Sequence, residues 1–238
     1  MYRVEALVYP TLIMPAKTDL HSARSILGKQ LVGPEEVVAA FGSAAPAAAA
    51  EAVPFSVADL EAARDNGEFL ILRTSHAGAE PLTLLWLIRR FAGAFDAAFL
   101  RKTGYQLKND WGIEIEPLAA QDTCAPGWAL VKRDVLPSTL NLNHAEQEEE
   151  IRQYAARRAA AGRTRRRTAV EAAYDTLAVH HATGERLLAR SWDWTSSRTV
   201  DGGLLNVGHF DERGMQILSF SFGVRHGQLG VCPNIDPE

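Results

Sequence analysis

After Leu188 the chain is punctuated by glycine at positions 202, 203, 208, 214, 223, 227 and 230, a density that works against helix and favours turns. Between these glycines stand short strand-forming runs at 204–207 and 215–220, so the tail reads as a twisted β-ribbon meander. Alternate residues of a strand face opposite sides. Leu205 and Val207 are therefore expected to pack inward, while Leu204, Asn206 and His209 project outward.

The upstream sequence carries a different texture. Residues 43–53 include an alanine-rich stretch with little side chain to bury and are expected to form a flexible loop. Residues 54–188 read as a scaffold of helices and strands. Ser56 and Asp59 have the spacing of a capping box, and Asn66-Gly67 ends the short helix they begin. Strands are expected at 4–9, 68–73, 111–116 and 127–131. Pro81 suits a first helical turn, with Leu84, Leu85, Ile88 and Phe91 giving the spacing of a buried face and Trp86 joining it. Residues 144–161 place acids early and arginines late, which suits the helix macrodipole, and few large apolar side chains interrupt them, so this helix is expected to be largely exposed. Thr168 caps a second long helix that presents Val170, Ala173, Tyr174 and Leu177 at three- and four-residue steps and stops at Gly184.

The residues that commonly carry chemistry form no reactive pattern. No Gly-x-Ser-x-Gly elbow and no phosphate-cradling glycine loop occurs, and Gly202-Gly203 has neither the spacing nor the following helix such a loop needs. His180 and His181 are adjacent and cannot share a helical face; His209 and His226 have no matching ligand spacing, so neither metal nor cofactor is expected. Cys124 and Cys232 are too few and too far apart for a metal knuckle, and the spacing leaves open whether they are bridged. Arg157, Arg158, Arg163, Arg165, Arg166 and Arg167 form the strongest local charge feature. They read as a solvated connection balanced by the acids at 146–150; contact with nucleic-acid phosphates is the alternative. A net charge of -4 and the lack of interleaved aromatics weigh against nucleic acid as the main partner. No apolar run is long enough to span a bilayer, and Glu5 interrupts the region where a signal peptide needs apolar residues. The chain is thus expected to be soluble, cytoplasmic or virion-associated.

An ordered set of short motifs remains: Trp192-Asp193-Trp194-Thr195-Ser196-Ser197-Arg198, Asp201-Gly202-Gly203, Val207-Gly208-His209-Phe210-Asp211 and Leu229-Gly230-Val231. This set resembles the C-terminal end of the C-type-lectin-fold variable proteins of diversity-generating retroelements. Upstream, residues 54–73, 127–131 and 168–188 are similar to the matching parts of that family. The resemblance implies a single α+β unit over residues 1–238 with a C-type-lectin-like fold, no catalysis, and a diversified ribbon over 189–238. In that family a reverse transcriptase copies a template repeat with errors at adenines, and the copy replaces the 3′ end of the gene. The implied ligand-binding positions are Leu204, Asn206, His209, Leu218, Ser219, Ser221, Phe222, Val224, Arg225 and His226, facing a protein or cell-surface ligand. The tripeptides of calcium-dependent sugar-binding lectins are absent, and two cysteines cannot supply the usual pair of lectin disulfides.

Overall fold

The structure, a computed structural model, describes residues 17–42, 52–94, 113–158 and 162–237. Strand β1 (Thr18–Asp19) runs into helix α1 (Leu20–Leu27), whose N-cap Asp19 accepts the Ser22 N–H at 2.9 Å. Strand β2 (Leu31–Val32) precedes α2 (Pro34–Phe41), which proline opens and a left-handed Gly42 closes. Strand β3 (Ala52–Val53) pairs antiparallel with β1, so the last two residues of the expected loop belong to a ladder. Residues 43–51 lie outside the described residues, as does the strand expected at 4–9.

Helix α3 (Val57–Asp65) starts in the expected capping box, with Ser56 and Asp59 reciprocally bonded, and ends at Asn66. Strand β4 (Phe69–Arg73) is buried along its whole length. Strands β5 (His76–Ala77) and β6 (Glu80–Pro81) then form a small hairpin, so Pro81 is in a strand and not in a helical turn. Helix α4 (Leu84–Arg90) begins behind it because Thr83 supplies the cap that proline lacks, its Oγ1 accepting the Trp86 N–H at 3.2 Å. Residues 113–115, expected to be extended, instead wind into a 3₁₀ turn ahead of the proline-started helix α5 (Pro117–Gln121).

Strand β7 (Gly127–Val131) is where the sequence places it. Helix α6 (His144–Arg158) is capped reciprocally by Asn143 and Glu146; expected to be largely exposed, it buries Gln147 and Ile151 and holds most of its other residues half-buried, because it packs along the sheets and the 221–230 segment. Strand β8 (Arg163–Arg165) follows, then α7 (Ala169–Thr183). The α7 capping box joins Thr168 and Glu171, its end is Gly184 at φ 77°, and every residue from Ala169 to Val179 is buried. A helix buried all round must be central.

Two sheets enclose it. The first has the order β2-β4-β7-β13-β8, where β13 (Asn234–Asp236) is the last strand of the chain and pairs antiparallel with both β7 and β8. The second has the order β11-β10-β9-β12, built from β9 (Trp192–Arg198), β10 (Leu204–Asp211), β11 (Gly214–Phe220) and β12 (Leu229–Gly230). Strands β9, β10 and β11 form the expected meander, and β12 lies parallel to β9. Helix α7 packs against β2 and β4 on one side and β9 and β10 on the other. The architecture is mixed α+β. Gly208 is obligatory in the meander: at φ 153° a Cβ there would stand 2.2 Å from the Ser191 carbonyl oxygen. Cys124 and Cys232 are buried and unbridged, and burial keeps both protonated, the Cys232 thiol being pushed up to about 12. No disulfide therefore joins these two cysteines to staple the scaffold.

Candidate functional site

The arginine cluster of residues 163–167 is largely internal. Arg167 is fully buried, donating from Nε to Asp193 at 2.9 Å and from Nη1 to Asp175 at 3.0 Å. Arg73 of β4 forks onto both oxygens of that α7 carboxylate, donating from Nε to Asp175 Oδ1 at 2.8 Å and from Nη2 to Oδ2, the oxygen Arg167 also uses, at 2.6 Å. Arg165 forks onto Glu171 with two bonds of 2.7 Å and reaches Asp236 of the terminal strand at 2.5 Å. Arg166 is 7% exposed, pairs with Glu148 and donates to the Trp194 carbonyl at 2.8 Å. The expected solvated connection is thus a buried ion-pair chain that joins both sheets to α7. Arg163 alone of the four is exposed.

Glu171 illustrates the electrostatics. Burial works to raise its pKa, but the Arg165 fork and the charges of Arg73 and Arg165 outweigh it and hold the carboxyl at about 2.

The opposite face of the β9-β10-β11 meander is organised differently. Leu205 and Val207 point to the α7 core, as expected, and Leu204 and Asn206 point away from it. That second face is covered, however, because residues 221–230 fold back across it. Trp192, Trp194, Leu204, Leu218 and Leu229 make a separate apolar cluster, with Phe220, Phe222 and Val224 packed on top. Leu204 is 3% exposed, Asn206 0% and Leu218 7%, so these three of the expected ligand-binding positions are buried. The covering segment is anchored by the Phe222 carbonyl to the His144 N–H at 3.2 Å, the His226 carbonyl to the Asn141 N–H at 3.0 Å, and the Gln228 carbonyl to the Trp192 N–H at 2.8 Å.

Beneath this cover stands a row of polar groups with no hydrogen-bond partner among the described residues. They are both side-chain atoms of Asn206, Oε1 of Gln216, the indole nitrogens of Trp192 and Trp194, and Nδ1 of His209. Strand register lines them up: Asn206 is opposite Trp194 and Leu218, while Gly208 is opposite Trp192 and Gln216. Each buried orphan of this kind costs on the order of 1–3 kcal/mol unless water or a ligand supplies the missing bond.

The remaining expected positions surround the covered row. Ser221 and Arg225 are exposed, and His209, Ser219, Phe222, Val224 and His226 are half-buried. Rings link them: His209 lies 4.5 Å from Trp192, His226 lies 5.6 Å from Trp192 and 6.4 Å from Phe220, and His144 packs edge-on against Phe222 at 5.0 Å. Arg225 reaches across to Glu146 of α6 at 2.5 Å. Trp192, Gln216 and Phe220 belong to this site without having been singled out as binding residues; the two-residue step from Asn206 and Leu218 across the register is the signal that would have found them. His180 lies elsewhere, edge-on to Phe210 at 4.9 Å, and burial together with Arg186 lowers its pKa. Among the described residues no group of three His, Cys, Asp or Glu side chains is placed to hold a metal ion, and no helix is long and apolar enough to cross a membrane.

Comparison of the chain with protein-family models, with curated proteins and with solved structures finds no match.

Proposed function

We propose that this chain is a ligand-binding protein of the diversity-generating-retroelement type, with a C-type-lectin-like fold and no catalytic role. Its recognition surface is the rim formed by His209, Ser219, Ser221, Phe222, Val224, Arg225 and His226. The observation that carries this reading is the row of unpaired polar groups on Asn206, Gln216, Trp192 and His209 beneath a rim of rings. Natural proteins seldom leave so many buried donors and acceptors unmatched on one face, so the polarity directly beneath the rim is not there for packing alone. The rim combines aromatic and imidazole anchors with adaptable hydroxyls, the mixture that serves recognition of a protein or cell-surface ligand. Its rigid support also limits the ordering entropy lost on binding. The C-type-lectin-like assignment draws on the terminal strand β13 seated inside the first sheet and on the meander that follows the long helix. The nucleic-acid alternative is weakened, since Arg165, Arg166 and Arg167 already have internal carboxylate partners.

Sequencing the complete locus tests the reading. A noncoding near-copy of the DNA for residues 190–238, differing mainly opposite adenines and adjacent to a reverse-transcriptase gene, is the expected result. A complete locus with neither element overturns it.

A further inference from the structure

A second surface lies beside the rim, where α6, β8 and the far end of β9 enclose a groove of about 540 Å³. Its lining contains Arg152, Arg163, Arg165, Arg166 and Arg198 against a single acid, Glu148. Such a concentration in a chain of net charge -4 is local and directional. Internal pairing removes some of it: Arg165 is held by Glu171 and Asp236, Arg166 by Glu148, and Arg152 by its helix neighbour Glu149 at 2.6 Å. Arg163 and Arg198 are exposed, and neither has a carboxylate within ion-pair distance among the described residues. Arg198 is held by the ring of Phe222, its guanidinium carbon 4.7 Å from the centroid, which fixes a cation at the groove wall without neutralising it. Ser196 and Thr164 add hydroxyls, while Ile151, Leu204 and Phe222 form an apolar wall.

We propose that this groove binds a small organic phosphate, with Arg163 and Arg198 clasping the phosphoryl oxygens and the apolar wall receiving the organic part. All five cations are arginines, whose planar forks suit tetrahedral oxyanions in a bidentate manner. The volume lies in the range of small-molecule sites, roughly 300–1,000 Å³. Two uncommitted guanidiniums match the charge of one phosphate ester, and they are too few to track a polymer backbone. The inference stands on the groove's own charges and does not depend on the rim's role in recognition.

Titration calorimetry of the intact chain with adenosine diphosphate, inorganic pyrophosphate, a simple dicarboxylate and a single-stranded oligonucleotide tests it. Saturable binding of adenosine diphosphate is expected, with pyrophosphate weaker for want of the apolar contact and the dicarboxylate weaker again. The Arg163→Gln/Arg198→Gln double variant is expected to lose about tenfold or more in affinity while its thermal midpoint shifts only slightly, by no more than the loss of the contact between exposed Arg198 and the Phe222 ring. The Arg163→Lys/Arg198→Lys variant keeps both charges but not the forks and is expected to fall between. Absence of saturable binding by either phosphate probe, equal binding by the double variant, or binding of the oligonucleotide alone would each overturn the proposal.

Discussion

Asp193 and Trp194 are neighbours on β9, yet their polar atoms have opposite fates. The Asp193 carboxylate faces the α7 core, accepts from Arg167 and the Cys232 N–H, and helps link the two sheets. The Trp194 indole N–H faces the other way and has no partner among the described residues, nor does the Asn206 amide across the register. Both faces are dry. The inner one satisfies its charges through residues distant in sequence, whereas the outer one carries neutral polar groups that stability alone does not require. Buried charge is tolerable only when paired, so the inner face is where substitutions should do most damage. The outer face holds polarity that folding would be better without, in keeping with the recognition role proposed for its rim.

The largest expected effect comes from breaking the inner chain. Asp175→Ala removes the carboxylate shared by Arg73 and Arg167 and leaves two fully buried guanidiniums short of a counter-charge. A loss of about 3–5 kcal/mol is expected in denaturant unfolding. A loss below about 1 kcal/mol would mean that the chain of ion pairs is not what couples the sheets.

Acid should dismantle the same face on a smaller scale. Glu171 titrates at about 2 in the folded chain against an ordinary 4.5, so between these values the unfolded chain binds the proton and the native chain does not. Its contribution is complete above pH 4.5 and lost as pH falls toward 2, a change on the order of 3 kcal/mol. Unfolding curves measured across that window should slope accordingly. In Glu171→Gln the slope should flatten while stability at neutral pH declines.

These two faces were unequally legible from the residues. Local signals carried the helices and strands well: Thr168 with Glu171, Ser56 with Asp59, Gly184, and the alternation that sends Leu205 and Val207 inward all act within a few positions. The 163–167 segment reads as solvated because the acids that bury it, Asp175, Asp193 and Asp236, come from other elements, and charge patterning along the chain reveals no such partners. Asn206 fails for a related reason. Alternation correctly separates it from Leu205, but whether a face meets solvent depends on where residues 221–230 fold, and no local rule sets that. Pro81 shows a competing cap winning over a favourable first-turn residue.

On the outer face the sign of the effect should reverse. Asn206→Leu replaces an amide that lacks a partner at both ends with an apolar group of similar size beside Leu204 and Leu218. Removing an unsatisfied buried group while filling the same space should be neutral or stabilising by about 1 kcal/mol. A destabilisation of more than about 1 kcal/mol would show that the amide is satisfied in solution, and the contrast between the faces would lose its basis.

The smallest effects belong at the rim, and they divide the expected binding positions in two. Ser219, Ser221 and Arg225 have side chains that are at least partly in water, and the Arg225 pair with Glu146 joins two groups each at least 40% exposed. Exposed pairs contribute about 0–1 kcal/mol, and ordinary surface positions about 0.5 kcal/mol or less. Simultaneous replacement of these three should therefore shift the thermal midpoint only slightly. His209 should not join them. It stands at φ 48° and packs its ring against Trp192, so its backbone conformation and its stacking both restrict what can follow it. Scanning each rim position with a set of ten or so side chains and measuring thermal midpoints separates the two groups. Equal tolerance at His209 and Ser221 would mean that the rim is a freely variable surface throughout; a steep loss at His209 alone would place the boundary between scaffold and display at the Trp192 ring.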